Sequence, residues 1–440
     1  MSVEAITALM LGSLFILIIL GYPIGFVLGG TATIFGIWFV GPRVIDLFML
    51  RLHGVMSDYV LIAIPLFVFM GIVIEQSGIA GRLYDAMFVI MGKLRGGLAI
   101  ATITACTIFA AATGVVGASV VTMGILALPA MLRYEYDKPL STGAICAGGT
   151  LGILIPPSIL ILVYGPTAGL SVGVLLLAAF LPGLLLATLY ILYIAIRCYL
   201  NPKLGPAAGD EVAKYTTSQK LIMFVTSVLP VTALILAVLG SIFFGLAAPT
   251  EAAAMGAFSA CIMAACYGKM SWHNLKEAAI RALRTSAMVY MVLIGAGFYT
   301  AIFLRLGSGR VVQNMVMGLP LPPWGILVVM WLIIIVLGAF IDWIGVVMIA
   351  VPLFTPIAAQ LGYNPVWFAM MNIVVMQTSF LTPPFAYSIF YLKGVAPPEI
   401  KLGHIYKGVV PFILLMLLGV AILSAFPGII LFLPRMAGLI

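Results

Sequence analysis

Charge is what this 440-residue chain has least of. Only 8% of its residues are Asp, Glu, Lys or Arg, 13 of them are acidic, and histidine occurs three times. A soluble domain carries about a quarter charged residues, so a water-facing globular fold is excluded. No pair of histidines has metalloprotease spacing, and no glycine-rich loop closes on a phosphate-binding lysine. Polar groups for covalent chemistry are correspondingly few. The five cysteines (Cys106, Cys146, Cys198, Cys261 and Cys266) show no metal-ligand spacing and sit in or beside apolar runs, as small core residues do. The formal net charge of +8 does not point to nucleic acid, because the basic residues lie between apolar runs. They read as topology determinants facing anionic lipid.

What the chain has in abundance is apolar sequence, 64% by composition. The expected fold is an all-α membrane protein with about ten transmembrane helices, at about 5–20, 22–40, 60–77, 140–165, 171–198, 220–240, 249–267, 286–304, 364–390 and 409–432. The chain opens Met1-Ser2-Val3-Glu4 without a basic region, so Glu4 to Leu20 is expected to be a first span and not a cleavable signal. Two of the runs contain double prolines, Pro156-Pro157 and Pro383-Pro384. Proline lacks an N–H and its ring crowds the preceding turn, so both helices must break there. Backbone groups freed in hydrocarbon cost several kcal/mol each, roughly, unless something binds them. Such breaks belong beside a polar cavity, an ion or a substrate.

Two further apolar stretches, about 97–132 and about 322–357, are divided into short arms around Gly114-Val115-Val116-Gly117-Ala118-Ser119 and around Gly338-Ala339-Phe340-Ile341-Asp342. Arms of about 15 residues fall short of a crossing and suit re-entrant hairpins. With both hairpins re-entrant, Arg43, Arg51, Arg305, Arg310 and Arg435 lie on one side and the other sixteen of the 21 basic residues on the opposite side. The larger set marks the cytoplasm and places both termini in the periplasm.

The chain also repeats itself. The double prolines are 227 positions apart, Gly81-Arg82 recurs 228 positions on as Gly309-Arg310, and Pro139 precedes Pro365 by 226. Five crossings separate the starts of the two units, which inverts one relative to the other. The expected organisation is N-terminal scaffold spans and an amphipathic arm (1–59), repeat 1 (60–198), connecting scaffold spans and an arm (199–285), repeat 2 (286–432) and a tail (433–440). An inverted repeat with broken helices at matching positions is a transporter architecture with its site at the bilayer midplane. Amphipathic stretches at 44–57, 80–93 and 271–284 read either as connectors in the headgroups or as arms bracing a moving unit.

The candidate site follows from the tips and breaks. Hard cations take several oxygen ligands, which carbonyls and hydroxyls supply. The first set is Gly114, Gly117, Ser119, Gly149 and Thr150, and the second is Gly338, Asp342, Thr378, Ser379 and Thr382. Asp342 is read as a cation ligand, a proton-titrating group or a neutral core aspartate. Thr382 before Pro383 reads as an N-cap whose half-helix amides can face an anion. Substrate contacts are expected from Ser119, Pro157, Ser158, Thr382 and Pro383. Arg305 is either a snorkelling anchor or a carboxylate partner. Glu75 is read as interfacial.

The run Gly148-Gly149-Thr150-Leu151-Gly152-Ile153-Leu154-Ile155-Pro156-Pro157-Ser158, the glycine and serine tip before it, the Asp342 tip and Leu381-Thr382-Pro383-Pro384 resemble the large membrane subunit of tripartite ATP-independent periplasmic (TRAP) transporters over essentially the whole chain. The resemblance implies a sodium-coupled importer of small organic acids at the bacterial inner membrane, working by an elevator-type movement. It implies two sodium sites at the tips and breaks, no covalent cofactor, a small four-helix membrane subunit and a periplasmic solute-binding protein. The four-helix partner is expected to be a separate chain. The first tip has few hydroxyls, so Val115, Val116 and Ala118 offer only carbonyls. A stand-alone sodium- or proton-coupled symporter and a membrane-embedded lipid-modifying enzyme are the competing readings.

Overall fold

The computed structural model describes residues 1–208, 214–384 and 386–440. Among these the regular structure is helical throughout, with no strand. Taken in chain order, α1 is Val3–Ile19, α2 Ile24–Val40, α3 Val44–Met56, α4 Ala63–Gln76 and α5 Ile79–Met91. The first hairpin is α6 (Gly97–Thr113) and α7 (Val116–Arg133), followed by α8 (Lys138–Thr150), α9 (Ile159–Ala168) and α10 (Val172–Leu200). The second half holds α11 (Thr217–Phe243), α12 (Pro249–Cys266), α13 (Trp272–Arg305) and α14 (Ser308–Met317). The second hairpin is α15 (Pro323–Phe340) and α16 (Trp343–Gln360), followed by α17 (Pro365–Ser379), α18 (Tyr387–Val395), α19 (Leu402–Ala425) and α20 (Gly428–Met436).

Both expected breaks are present, and the Pro156-Pro157 and Pro383-Pro384 bonds are cis. α8 ends in a single 3-10 turn, Leu151–Ile153, before the chain restarts as α9. The hairpin arms run to 17 or 18 residues, longer than expected. Length alone therefore does not separate them from crossings. Eight helices among the described residues are long and apolar enough to span, or nine if Val44–Met56 and Val60–Gln76 count as one bent span, and three of the eight are hairpin arms. The expected ten included the 17-residue α1 and α2, each about 25 Å at 1.5 Å per residue.

The halves pack reciprocally. The returning arm α7 of the first hairpin lies on α18, beyond the second break, and α16 of the second hairpin lies on α9, beyond the first. In the same way α2 packs along α13, and α12 packs along α4. The correspondence thus reaches N-terminal to residues 60 and 286. Glycines permit the close approaches. A Cβ on Gly295 would overlap the Gly25 backbone, and one on Gly143 would strike Gly408.

Three boundaries differ from the sequence reading. The arm 271–284 and the span 286–304 are one 34-residue helix, α13, because nothing between Arg284 and Ser286 breaks or caps it. The stretch 80–93 is no mere headgroup connector: α5 buries Leu83, Tyr84 and Met87 and packs on α6. The last span ends at Ala425, and α20 runs into the expected tail.

Candidate functional site

The hairpin tips come to the breaks because the sequence clears space for them. Gly114 ends α6 with φ +64°, and a Cβ there would sit 2.7 Å from the Pro157 carbonyl oxygen. On α8 the small faces of Gly148 and Gly149 meet Cys106 and Val120 of the first hairpin, and Gly152 meets Ala110. At the second tip a Cβ on Gly338 would overlap Ser379. Gly117 faces the Tyr391 ring, and a Cβ there would sit 3.1 Å from the nearest ring carbon.

A cavity of about 260 Å³ joins these parts. Gly114 and Gly117 of the first tip line it together with Asp342, Trp343 and Ile344 of the second. Ile153 and Ile159 flank the first break in its wall, Phe380 and Tyr387 the second, and Tyr391 and Thr285 complete the polar lining. A second cavity of about 270 Å³ adjoins the first tip, with Val115, Gly117, Thr285 and Tyr391 common to both. Glu75 and Arg281 line that second space. Arg281 Nη2 donates to Glu75 Oε1 at 3.0 Å and to Oε2 at 3.3 Å.

The expected first ligand set is gathered but largely self-satisfied. Ser119 is buried, its hydroxyl 3.4 Å from Thr113 Oγ1 and donating to the Val115 carbonyl at 3.3 Å. Thr150 donates to the Ala147 carbonyl at 2.8 Å and accepts from Gln377 Nε2 at 3.1 Å. Ser158 is buried and donates to the Ile153 carbonyl, which closes the first break on itself.

In the second set Thr378 donates to the Val375 carbonyl at 2.7 Å, and Thr382 to the Thr378 carbonyl at 2.8 Å. Ser379 differs, for its Oγ is buried and has no protein partner. With Gly338 it lines a void of about 10 Å³, room for about one water molecule. A buried hydroxyl without a partner costs about 1–3 kcal/mol, so an oxygen-seeking ion fits there. No group of three or more His, Cys, Asp or Glu that could hold a metal occurs among the described residues. Asp342 does not line the small void. It caps α16, accepting from the Ile344 amide at 3.3 Å, and lines the large cavity.

Two expectations move. Thr382 is not an N-cap: α18 begins at Tyr387 with Ala386, at φ +33°, in the capping position. The reason is local. Pro383 itself precedes a proline, and a residue before proline is pushed out of the helical region. Pro383 is exposed, and Arg305 stands exposed in the last turn of α13, lining neither large cavity. Gly169-Leu170-Ser171-Val172-Gly173 has the spacing of a hydrolase serine elbow, but Ser171 caps α10 after a helix, where the elbow follows a strand.

Sequence reasoning missed Tyr387, Tyr391, Thr285, Glu75 and Arg281. The tyrosines carried a readable signal, an i, i+4 pair on the half-helix after a break, and their rings stack at 6.4 Å.

Comparison with known proteins accords with this architecture. The family model described as "Tripartite ATP-independent periplasmic transporter, DctM component" matches residues 11–429. The chain is 30% identical over 391 residues to the C4-dicarboxylate TRAP transporter large permease protein DctM of Pseudomonas aeruginosa, covering 89% of this chain and 90% of that one. It is 32% identical over 385 residues to the ectoine/5-hydroxyectoine TRAP transporter large permease protein UehC of Ruegeria pomeroyi, covering 86% of each. Among solved structures, the Alcanivorax borkumensis YdaH transporter superposes with a TM-score of 0.61 over 89% of each chain at 17% identity, a likeness of fold.

Proposed function

This chain belongs to the DctM component family of tripartite ATP-independent periplasmic transporters, and we propose that it carries a small carboxylate across the bacterial inner membrane with sodium as the coupling ion. The observation that carries this reading is the single cavity lined by both hairpin tips and both helix breaks. At about 260 Å³ it lies below the roughly 300–1,000 Å³ of pockets for drug-sized ligands and suits a small solute.

The coupling follows from charge. Asp342 in the cavity wall opposes an incoming carboxylate. Two like charges 4 Å apart repel by about 4 kcal/mol at an effective dielectric of 20. Sodium at the Gly338–Ser379 void, whose lining includes both chain neighbours of Asp342, Ile341 and Trp343, offsets that repulsion. Cargo without the ion is then disfavoured at this tip, which is what obligatory symport requires. Gly114, Gly117, Ser119, Gly149 and Thr150 form the second proposed ion site, where carbonyls do most of the work because the hydroxyls are already engaged.

In this reading the hairpin-bearing unit moves as an elevator, both termini face the periplasm, a small four-helix subunit accompanies the chain, and a periplasmic binding protein delivers cargo. The test is uptake by the protein reconstituted with its two partners. Labelled succinate should accumulate under an inward sodium gradient and stop when choline replaces sodium. Uptake that runs unchanged in choline would overturn the sodium coupling.

A further inference from the structure

We propose a second anion site at Arg281, where the carried carboxylate displaces Glu75 as it passes the first hairpin tip; this rests on the reading of the cargo as a carboxylate. Arg281 and Glu75 line the cavity of about 270 Å³ on the far side of that tip. Gly117, Thr285 and Tyr391 belong to its wall and equally to the wall of the tip-and-break cavity. Thr285 stands four positions after Arg281 on α13, so passage between the two spaces covers about one helical turn, some 6 Å.

Arg281 is the single lysine or arginine lining either cavity. An anion leaving the neighbourhood of Asp342 therefore meets its first fixed positive charge there. The guanidinium offers five donors in a planar fork suited to a carboxylate, and Glu75 engages it through Nη2. The pair is not sealed: the Arg281 side chain is 42% exposed and that of Glu75 23%. A partly solvated ion pair is weakly held, so a competing carboxylate can exchange for Glu75. Glu75 in turn keeps the guanidinium neutralised when no cargo is present, which limits retention of the anion after exchange.

The two partners then act with opposite signs, whereas a clamp joining α4 to α13 would lose by removal of either. The test is thermal stabilisation of the purified full chain, in sodium buffer, titrated with a panel of C2–C6 mono- and dicarboxylates that includes succinate. In wild type at least one carboxylate raises the melting temperature. Glu75→Gln should lower the half-saturating concentration of that carboxylate about threefold or more, because its competitor is gone. Arg281→Gln should raise it about tenfold or more, and Arg281→Lys by less, since the charge stays while the fork is lost. Should Arg281→Gln fail to fold, Glu75→Gln and Arg281→Lys still decide by their opposite signs. Equal weakening in the Glu75 and Arg281 variants, or no change in either, overturns the site and leaves the transport reading intact. A wild-type chain that answers to none of the carboxylates overturns the transport reading and this site with it.

Discussion

Gln377 donates from Nε2 to Thr150 Oγ1 at 3.1 Å across 227 positions of sequence, the same interval that separates the two double prolines. Each residue stands in the last turn before its break, in α17 and α8 respectively. The axis relating the halves therefore runs through a hydrogen bond. The two breaks are tied at their roots, and the cavity opens beyond them. Of the pair, only Thr150 has its hydrogen satisfied elsewhere, by the Ala147 carbonyl; Gln377 Oε1 is buried without a protein partner.

That inequality gives the first prediction. Thr150→Val strips Gln377 of its one partner and should destabilise the protein by about 1–3 kcal/mol. Gln377→Met removes a donor together with an already orphaned oxygen and should change stability by less than about 1 kcal/mol. Thermal melting of the detergent-purified variants checks the order, and the reverse order would sink the account of the axis.

Ser379→Ala should separate stability from ion binding. Because Ser379 Oγ has no partner, its removal should leave the sodium-free melting temperature unchanged or higher. The stabilisation gained by adding sodium, which grows as RT ln(1 + [Na⁺]/Kd), should shrink. A variant that melts lower in choline yet answers to sodium like wild type would contradict this.

Asp342→Asn keeps the cap on α16, since asparagine accepts from the same amide, but removes the charge. The fold should survive by melting temperature while the sodium dependence of uptake shrinks, because the charge that opposes cargo in the absence of the ion is gone. Full uptake at unchanged sodium dependence would exclude Asp342 as the charge that sodium offsets.

Glycine substitutions test the close approaches. Gly114→Ala forces a left-handed φ on alanine, about 1–2 kcal/mol, and drives its Cβ onto the Pro157 carbonyl. Gly338→Ala overlaps Ser379 at the small void. Both should abolish uptake. Gly240→Ala in α11, with nothing within 4 Å of its Cβ, should transport normally and gain up to about 1 kcal/mol of helix stability. Uptake intact in the first two would mean that the tips do not work against the breaks.

The breaks and tips were legible because proline and glycine act on their own backbone, and Pro156-Pro157, Pro383-Pro384 and Gly114 announce their conformation locally. The pairing of Arg281 with Glu75 was not, since the partners are 206 residues apart and each alone reads as an interfacial charge. The hydroxyl set was overread for a related reason. Type and position suggested ligands, but Thr150, Ser158, Thr378 and Thr382 spend their hydrogens on carbonyls three to five residues back. That competition is invisible until helix ends are fixed. Ser379, in the last turn of α17, escaped it. The continuity of α13 was readable from the absence of proline and glycine between Trp272 and Gly295, against the pull of a composition that changes from basic to apolar.

In the first half, the stretch corresponding to α13 is jointed: Val44–Met56 meets Val60–Gln76 at 59°. In the second half it is a single rod, about 50 Å at 1.5 Å per residue. The two copies of the repeat are therefore unequal as machines. One limb has an elbow between Met56 and Val60, and its twin runs through the corresponding turn without a break. On the transport reading proposed above, a cycle built on such limbs would have two end-states that are not mirror images.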